Sequence, residues 1–209
     1  MGEQTGASGV TPAGWRGWLA SEDVPFASGV DAGAGGSMMA GVRQGGSVQV
    51  LIAYGSKRGG TAGLAEMIGD ELTAAGLETV VKPARDVRSL DGFHAVVIAG
   101  ALYATRWHRD ARHFVRRHAG ELRGRAVWLV SSGPLDDSAV TGAIPPVRHV
   151  AKVMTKIGAR GQVTFGGRLE STAKGFPASA MAKKSAGDWR DRAQVHTWAA
   201  EVASQLGRP

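Results

Sequence analysis

Cysteine is absent from all 209 residues of the chain. Disulfides, iron–sulfur clusters and thiol redox chemistry are therefore excluded, and any electron chemistry must come from a bound organic cofactor. Long apolar runs are absent as well: the run at 95–102 falls far short of the roughly 20 residues that a membrane-spanning helix needs. The N-terminus lacks the basic and then apolar layout of a signal peptide, so we expect a cytoplasmic protein.

Acidic residues are in the minority, with 18 Asp and Glu against 25 Lys and Arg, which gives a net charge of +7. Residues 1–46 hold two arginines and four acids, a charge of −2, which leaves +9 for the rest. A basic domain attracts anions, so nucleic acid, anionic lipid and an acidic small molecule are candidate partners. A basic surface that serves only solubility is the alternative.

Residues 1–46 show no helical or alternating apolar pattern and contain twelve glycines. We therefore predict that this segment is disordered and that residues 47–209 form one domain. Trp15 and Trp18 lie in a Gly-Trp-Arg-Gly-Trp sequence that is either a short interaction motif or incidental. Because Met38 and Met39 stand just before the first strand, we interpret the whole segment as the result of a start codon assigned too far upstream.

Short apolar and β-branched runs predict five strands, at 48–53, 78–82, 95–99, 126–130 and 162–165. Helical apolar spacing predicts four helices. The first has Leu64, Ile68 and Leu72 inward, with Thr61 as N-cap and Gly76 as stop, and the second has Ala111, Phe114 and Val115 inward, with Arg109, Arg112 and Arg116 on one outer face. The third covers residues 146–157 and ends at Gly158. The last begins at Asp188 and Asp191 and has an apolar face of Val195, Trp198, Ala199, Val202 and Leu206.

Residues 166–187 are interpreted as a polar loop, and residues 84–93 are too short and polar for a helix. Strands that alternate with helices predict an α/β fold: an open, doubly wound, five-stranded parallel sheet with helices on both faces. Ligands of such sheets bind at the C-terminal ends of the strands. Three loops leave the sheet at this edge, at residues 54–61, 100–107 and 131–134.

The first of these loops, Tyr-Gly-Ser-Lys-Arg-Gly-Gly-Thr at 54–61, has the features of a phosphate site. The backbone N–H groups of such a turn and of the helix start lack partners, and the helix dipole adds positive potential. The spacings of a nucleotide-hydrolase P-loop and of a G-x-G-x-x-G dinucleotide turn are absent. A purely structural turn between strand and helix is the alternative.

Histidines do not show the spacing of metal ligands, because His108 and His113 are five residues apart and the other four are scattered. We therefore predict no metal site. No residue stands out as a catalytic acid, base or nucleophile.

Residues 48–206 resemble flavodoxin-like proteins, and are most similar to the menaquinone-dependent protoporphyrinogen oxidase type and its bacterial flavodoxin-domain relatives. Ser56-x-x-Gly59-x-Thr61 matches the family's phosphate loop, S/T-x-T-G-x-T, except that Arg58 stands where flavodoxins generally carry threonine. Further similarity lies in residues 97–103, 107–108, 114–118, 130–134, 165–169 and 187–191.

The resemblance implies bound FMN and assigns roles to the three loops. Its phosphate would be held by Ser56, Thr61 and the amides of Lys57, Arg58, Gly59 and Gly60. The isoalloxazine ring would be flanked by Ala101, Leu102, Tyr103 and Trp107, with Ser132, Gly133 and Pro134 along its other side or its pyrimidine edge. Core burial is the alternative for Tyr103 and Trp107, and a plain turn is the alternative for Ser132.

The resemblance also implies an FMN-dependent oxidoreductase that passes electrons from an anionic reduced substrate to a quinone. Positive charge from Lys57, Arg58 and Arg106 near the flavin would raise its potential, which suits this role. An electron-transfer flavodoxin that serves a redox partner protein is the alternative, and a scaffold that has lost its cofactor is a third reading. A nucleic-acid partner is not expected.

The basic residues outside the phosphate loop suggest how such a protein would meet its partners. Arg109, Arg112 and Arg116, with Lys174, Lys183 and Lys184 of the long loop, would contact substrate carboxylates or an anionic membrane surface. We therefore expect a protein that is cytoplasmic, with peripheral contact at the inner face of the membrane. A solvated helix face is the alternative.

Overall fold

Five parallel strands form the centre of this computed structural model, which describes residues 48–103, 105–173 and 178–207. In chain order the elements are β1 (Gln49–Gly55), α1 (Gly60–Ala74), β2 (Glu78–Pro83), β3 (Ala95–Tyr103), β4 (Arg106–Trp107), α2 (Arg109–Arg117), α3 (Ala119–Arg123), β5 (Ala126–Ser132), α4 (Ser138–Thr141), α5 (Arg148–Ile157), β6 (Gly161–Phe165), β7 (Arg168–Leu169), α6 (Ala178–Ser185), β8 (Gly187–Asp188) and α7 (Arg192–Leu206).

The strand order β2-β1-β3-β5-β6 places the first strand inside the sheet, hydrogen-bonded to β2 on one side and β3 on the other. The chain therefore reverses its direction of travel across the sheet between β1 and β3. A crevice opens at the carboxyl ends of two strands where the order reverses in this way, and ligands bind there. The predicted fold class, an α/β doubly wound sheet of five parallel strands, is confirmed.

Helices cover both faces of the sheet, so the central strands are buried on both sides. On one face Leu51 and Ala53 of β1 pack in a cluster with residues of α2, α3 and α5. On the other face Val50 and Ile52 pack with residues of α1 and α7. Strands buried on both sides have apolar residues in succession, which is why the sequence shows continuous runs and not alternation.

The first helix begins two residues earlier than predicted. Gly59 is its N-cap, with a left-handed φ of 80° and no side-chain cap, and the helix starts at Gly60. Thr61 lies inside the first turn and is 2% exposed, so its predicted role as N-cap is wrong. The predicted stop at Gly76 is confirmed, since this glycine has a left-handed φ of 88° directly after the helix.

The boundaries of the later helices follow their caps. The helix predicted over 146–157 begins at Arg148, because Val147 still has extended backbone angles, and it ends at Gly158 as predicted. Asp191 caps α7 by accepting a hydrogen bond from the Gln194 amide at 2.8 Å. Asp188 does not cap this helix, because it lies on β8.

The segment predicted as a polar loop, residues 166–187, contains three short elements. β7 and β8 pair with each other in an antiparallel ladder, and α6 lies between them in the chain. Leu169 and Ala182 are buried together, with Leu135 packed against them. Elements of two and eight residues are too short to produce a periodic pattern, so the sequence could not reveal them.

Three sets of predictions concern residues beyond the described part of the chain. The disorder predicted for residues 1–46, the Trp15–Trp18 sequence and the contribution of Lys174 lie outside it. Within the described part, no helix combines the length and the hydropathy needed to cross a membrane.

Candidate functional site

The loop after β1 turns tightly at the carboxyl edge of the sheet and leads into α1. The Ser56 hydroxyl oxygen accepts a hydrogen bond from the Gly59 amide at 3.1 Å, which closes the loop. Gly59 then takes its left-handed conformation, which favours glycine because a Cβ is strained there. The backbone N–H groups of the first turn of α1 are thereby aimed at the crevice, the arrangement that binds a phosphate.

Arg190 and Arg168, both distant in sequence, hold this loop in place. The Arg190 guanidinium donates to the Gly60 carbonyl oxygen at 3.2 Å and to Asp188 Oδ1 at 2.7 Å, and its side chain is only 9% exposed. This hydrogen bond from Arg190 lowers the pKa of Asp188 below its ordinary value. β7 supports the loop as well, because a Cβ on Gly60 would lie 3.0 Å from the Arg168 carbonyl oxygen.

The crevice beside the loop encloses about 670 Å³ of space, part of it open to solvent. The structure brings together nine of the residues singled out from the sequence, Ser56, Arg58, Gly60, Thr61, Ala101, Leu102, Tyr103, Ser132 and Gly133. It adds five that the sequence did not reveal, Leu135, Gly167, Arg168, Leu169 and Met181. Four of these five lie in the region of β7 and α6. The resemblance to flavodoxin-like proteins over residues 165–169 was the one sequence signal for this region.

The walls of the crevice are apolar and its rim is aromatic. Tyr103 is 41% exposed and meets the His108 ring edge-on, with 6.2 Å between ring centroids. Met181 of α6 is 47% exposed. A planar cofactor ring gains from aromatic and thioether contacts of this kind.

Trp107 does not lie in the crevice, contrary to the prediction that it flanks the ring. Its side chain is 2% exposed, and its indole N–H donates to the Ser131 hydroxyl oxygen at 2.9 Å. The ring fills the space above Gly100, where a Cβ would lie 2.5 Å from Trp107 Cγ. Trp107 therefore supports the end of β3 from within the core.

Three further predicted residues stand next to the crevice and not on its lining. Gly59 shapes the phosphate loop through its backbone, as described above. Pro134 accepts a hydrogen bond from the Gly167 amide at 2.7 Å and so joins the loop after β5 to β7. Lys57 lines a second depression beside the crevice.

This second depression, which we call the cationic hollow, is lined by Lys57, Arg58, Tyr103, Arg106, Trp107, His108, Arg109 and Arg112. It shares Arg58 and Tyr103 with the crevice, so the two lie side by side. The nearby acid is Asp110, whose Oδ1 lies 3.4 Å from Arg109 Nε. The predicted stripe of three outward arginines is corrected here: Arg109 and Arg116 are exposed, whereas Arg112 is half-buried.

Burial and nearby charge act on the two histidines of this region. His108 caps α2, accepting from the Asp110 amide at 3.4 Å. Its pKa is lowered chiefly by burial, and the charges of Arg109, Lys57 and Arg112 add to this effect while Asp110 opposes it. The pKa of His149 is lowered by burial first and then by Arg112 and Arg106. Both imidazoles are thus disposed to be neutral near pH 7.

In the described residues, no group of three or more histidine and acidic side chains is placed to hold a metal ion. The chemistry of the crevice fits a different ligand. Backbone amides at a helix start suit a phosphate, Arg58 and Arg168 add positive charge, and Leu102, Tyr103 and Met181 suit a planar ring. Fold and site together define a doubly wound domain that holds a phosphate-bearing aromatic cofactor at the switch point of its sheet.

The chain belongs to the flavodoxin domain family, whose family model matches residues 51–177. The protein binds FMN, the cofactor that this family indicates. The crevice residues described above fit that cofactor. None of the curated proteins compared with the chain matches it.

Among solved structures, a flavodoxin from Streptococcus pneumoniae TIGR4 superposes with a TM-score of 0.53 at 18% identity, over 76% of this chain and 99% of the other. A flavodoxin from the domain Archaea gives 0.52 at 14% identity, over 77% and 100%. Oxidised flavodoxin 1 from Bacillus cereus gives 0.52 at 14% identity, over 76% and 99%. At such identities the likeness shows a common fold.

Proposed function

We propose that this protein is an FMN-dependent oxidoreductase that takes electrons from an anionic reduced substrate and passes them to a quinone. The observation that supports this proposal is the cationic hollow, which adjoins the cofactor crevice at Arg58 and Tyr103. When bound, FMN supplies the hydride and electron chemistry. The task of the protein is therefore to position the cofactor, to attract the substrate and to set the potential.

The phosphate of FMN is held, in this proposal, by Ser56, Thr61 and the amides of residues 57–60. Ala101, Leu102 and Tyr103 would flank the ring. Ser132 and Gly133, on the loop after β5 that Pro134 anchors to β7, would lie along its other side or its pyrimidine edge. Trp107 lies in the core and would act indirectly, by supporting the loop that carries Tyr103.

This assignment is tested by titrating the apoprotein with FMN and FAD. The crevice has one phosphate loop, so we expect FMN to bind more tightly than FAD. Ser56→Ala and Thr61→Ala each remove a hydrogen bond to a charged group, worth roughly 1.5–3 kcal/mol, so the affinity for FMN should fall about ten- to hundredfold. Equal affinity for the two flavins would contradict the assignment.

The reaction class is tested through the two-electron potential of the flavin. Positive charge favours reduced, anionic flavin, and a favourable interaction of about 1.4 kcal/mol raises a two-electron potential by roughly 30 mV. The charges of Lys57, Arg58 and Arg106, partly screened, should together raise it by an amount on the order of 100 mV. The double variant Arg58→Gln, Arg106→Gln should therefore show a lower potential in a dye-coupled spectroscopic titration, and exposed Arg116→Gln should not.

Turnover is tested with protoporphyrinogen and a soluble menaquinone analogue. The propionates of this substrate match the charge of the hollow, and the similarity to the oxidase type motivates the choice. Reduction of the quinone analogue that depends on both substrate and FMN would support the proposal. We also propose cytoplasmic localisation with peripheral membrane contact, because the exposed Lys183 and Lys184 of α6 would favour an anionic surface where quinone is available.

An electron-transfer flavodoxin that serves a redox partner protein is the second candidate. It is favoured by the exposure of Tyr103 at the crevice rim, where a docked protein would approach the ring. A very low potential without turnover of any quinone would select this reading over the enzyme.

A further inference from the structure

Arg112, which lines the cationic hollow, and His149, which lies close enough to feel the charges of Arg112 and Arg106, each have a buried nitrogen atom without a partner among the described residues. Arg112 Nε and His149 Nε2 are both buried and have no hydrogen-bond partner within the described part of the chain. Buried polar atoms of this kind carry a cost in free energy unless a ligand or water completes them. Arg112 lies on α2 and His149 on α5, which pack in one cluster on the same face of the sheet, so both atoms are candidates for contact with a bound group.

The charge around these atoms is positive on every element that contributes. The charges acting on His149 are those of Arg112 on α2 and Arg106 on β4. His149 itself lies in the first turn of α5, which has no acidic residue and no side-chain cap, so the positive end of the helix dipole is also uncompensated there. The nearby acid Asp110 forms an ion pair with Arg109 at the start of α2. The positive charge of this arrangement suits an anion.

The position of this cluster relates it to the cofactor crevice. Arg106 pairs with Tyr103 across the short β3–β4 ladder, so the two side chains belong to one turn of the chain. Tyr103 in turn forms the rim of the crevice. An anion held by Arg106 would thus lie beside the place where a substrate must approach the flavin.

We propose that Arg106, Arg112 and His149 form an oxyanion subsite that receives a carboxylate of the substrate. Two guanidinium groups can hold the two oxygens of a carboxylate through paired N–H donors, and His149 completes the site as a donor at its buried nitrogen. This inference rests on the proposed function, because it supplies the contact that orients an anionic substrate at the flavin. A free inorganic oxyanion shares the same chemistry and is distinguished in the experiment.

The subsite is tested by calorimetric titration of the FMN-loaded full chain with succinate and, separately, with inorganic phosphate. We expect succinate to bind and to shift the ring resonances of His149 in an NMR titration. Arg112→Gln should weaken this binding about tenfold or more, and His149→Gln should weaken it as well. Arg116→Gln is the matched control, because it removes the same charge from an exposed position of the same helix, and its affinity should stay within about twofold of wild type.

Arg106→Gln repeats the test from the β4 side should Arg112→Gln fail to fold. Unchanged affinity in Arg106→Gln and His149→Gln, or an equal loss in Arg116→Gln, would overturn the subsite. Binding of phosphate without succinate would overturn its assignment to a carboxylate. The proposed function fails separately: succinate binding that depends on Arg112, in a protein that turns over no reduced anionic substrate with any quinone, leaves the subsite standing and removes the enzyme.

Discussion

Trp107 can occupy the core only because residue 100 has no side chain. A Cβ at Gly100 would lie 2.5 Å from Trp107 Cγ, and the indole would have to leave its hydrogen bond to Ser131. We expect Gly100→Ala to lower the free energy of unfolding by about 1–3 kcal/mol, the usual range for overpacking. Urea denaturation measures the change. Gly120→Ala is the control, because a Cβ there meets nothing within 4 Å and alanine favours the helix.

His149 should make stability fall in acid. Burial and two arginines lower its pKa in the folded protein, whereas the unfolded chain protonates it near pH 6.5, so protons favour the unfolded state. Stability from this residue is thus lost as the pH falls below about 6.5. In melting experiments from pH 7.5 to 5.5, His149→Gln should show a smaller decrease than wild type. Replacing the exposed His113 by Gln should leave the decrease unchanged, and an equal effect in both variants would contradict the assignment.

Site residues that lie in one contiguous motif could be predicted from the sequence. Ser56, Gly60 and Thr61 lie within six positions, so their spacing alone predicts a shared loop, and all three line the crevice. Arg168 and Met181 reach the same crevice through tertiary packing that leaves no local pattern. Trp107 is the opposite case, because the family resemblance placed it beside the cofactor while β4 turns its ring into the core, as in the alternative interpretation.

At the scale of elements, the β8–α7 connection holds the start of α1. Arg190 joins Asp188 to the Gly60 carbonyl and so fixes the loop that receives the phosphate. Arg190→Gln should weaken FMN binding by several-fold although this side chain does not line the crevice, because the loop loses its preorganisation. Fluorescence titration of apoprotein with FMN measures the effect. The neighbouring Arg192→Gln, at an exposed position, should bind FMN as wild type does.

The sequence predicted the elements that repeat a pattern over several turns or a whole strand. β1, β3 and β5 are buried on both faces, so their apolar runs are continuous and unmistakable. β7 and β8 have two residues each and are defined by pairing with each other, which a linear pattern does not encode. Among residues 179–185 of α6, whose burial the structure describes, Ala182 is the one that is buried, against Leu169, so the sequence shows no periodic apolar face there.

At the scale of the whole molecule, we expect residues 1–46 to be dispensable for the flavodoxin domain. Their composition offers no apolar period to pack, and their glycines make ordering costly. A chain that begins at Met39 should keep the melting temperature and the flavin content of the full chain. A loss of several degrees would show that the Trp15–Trp18 sequence docks on the domain.

The packing of α7 on α1 also has a consequence for how the protein is made. Val195, Trp198 and Val202 of the last helix complete the cluster that buries Leu64, Ile68 and Leu72 of the first, and His196 meets Glu71 at 2.7 Å. A ribosome adds about 5–20 residues per second, so α7 is synthesised on the order of ten seconds after α1, and the apolar face of α1 lacks its packing partner during that time. Arg190 emerges just ahead of α7, so the phosphate loop is secured at the same late moment. We therefore expect flavin capture to follow synthesis of the last helix, with nascent chains depending on chaperones until then.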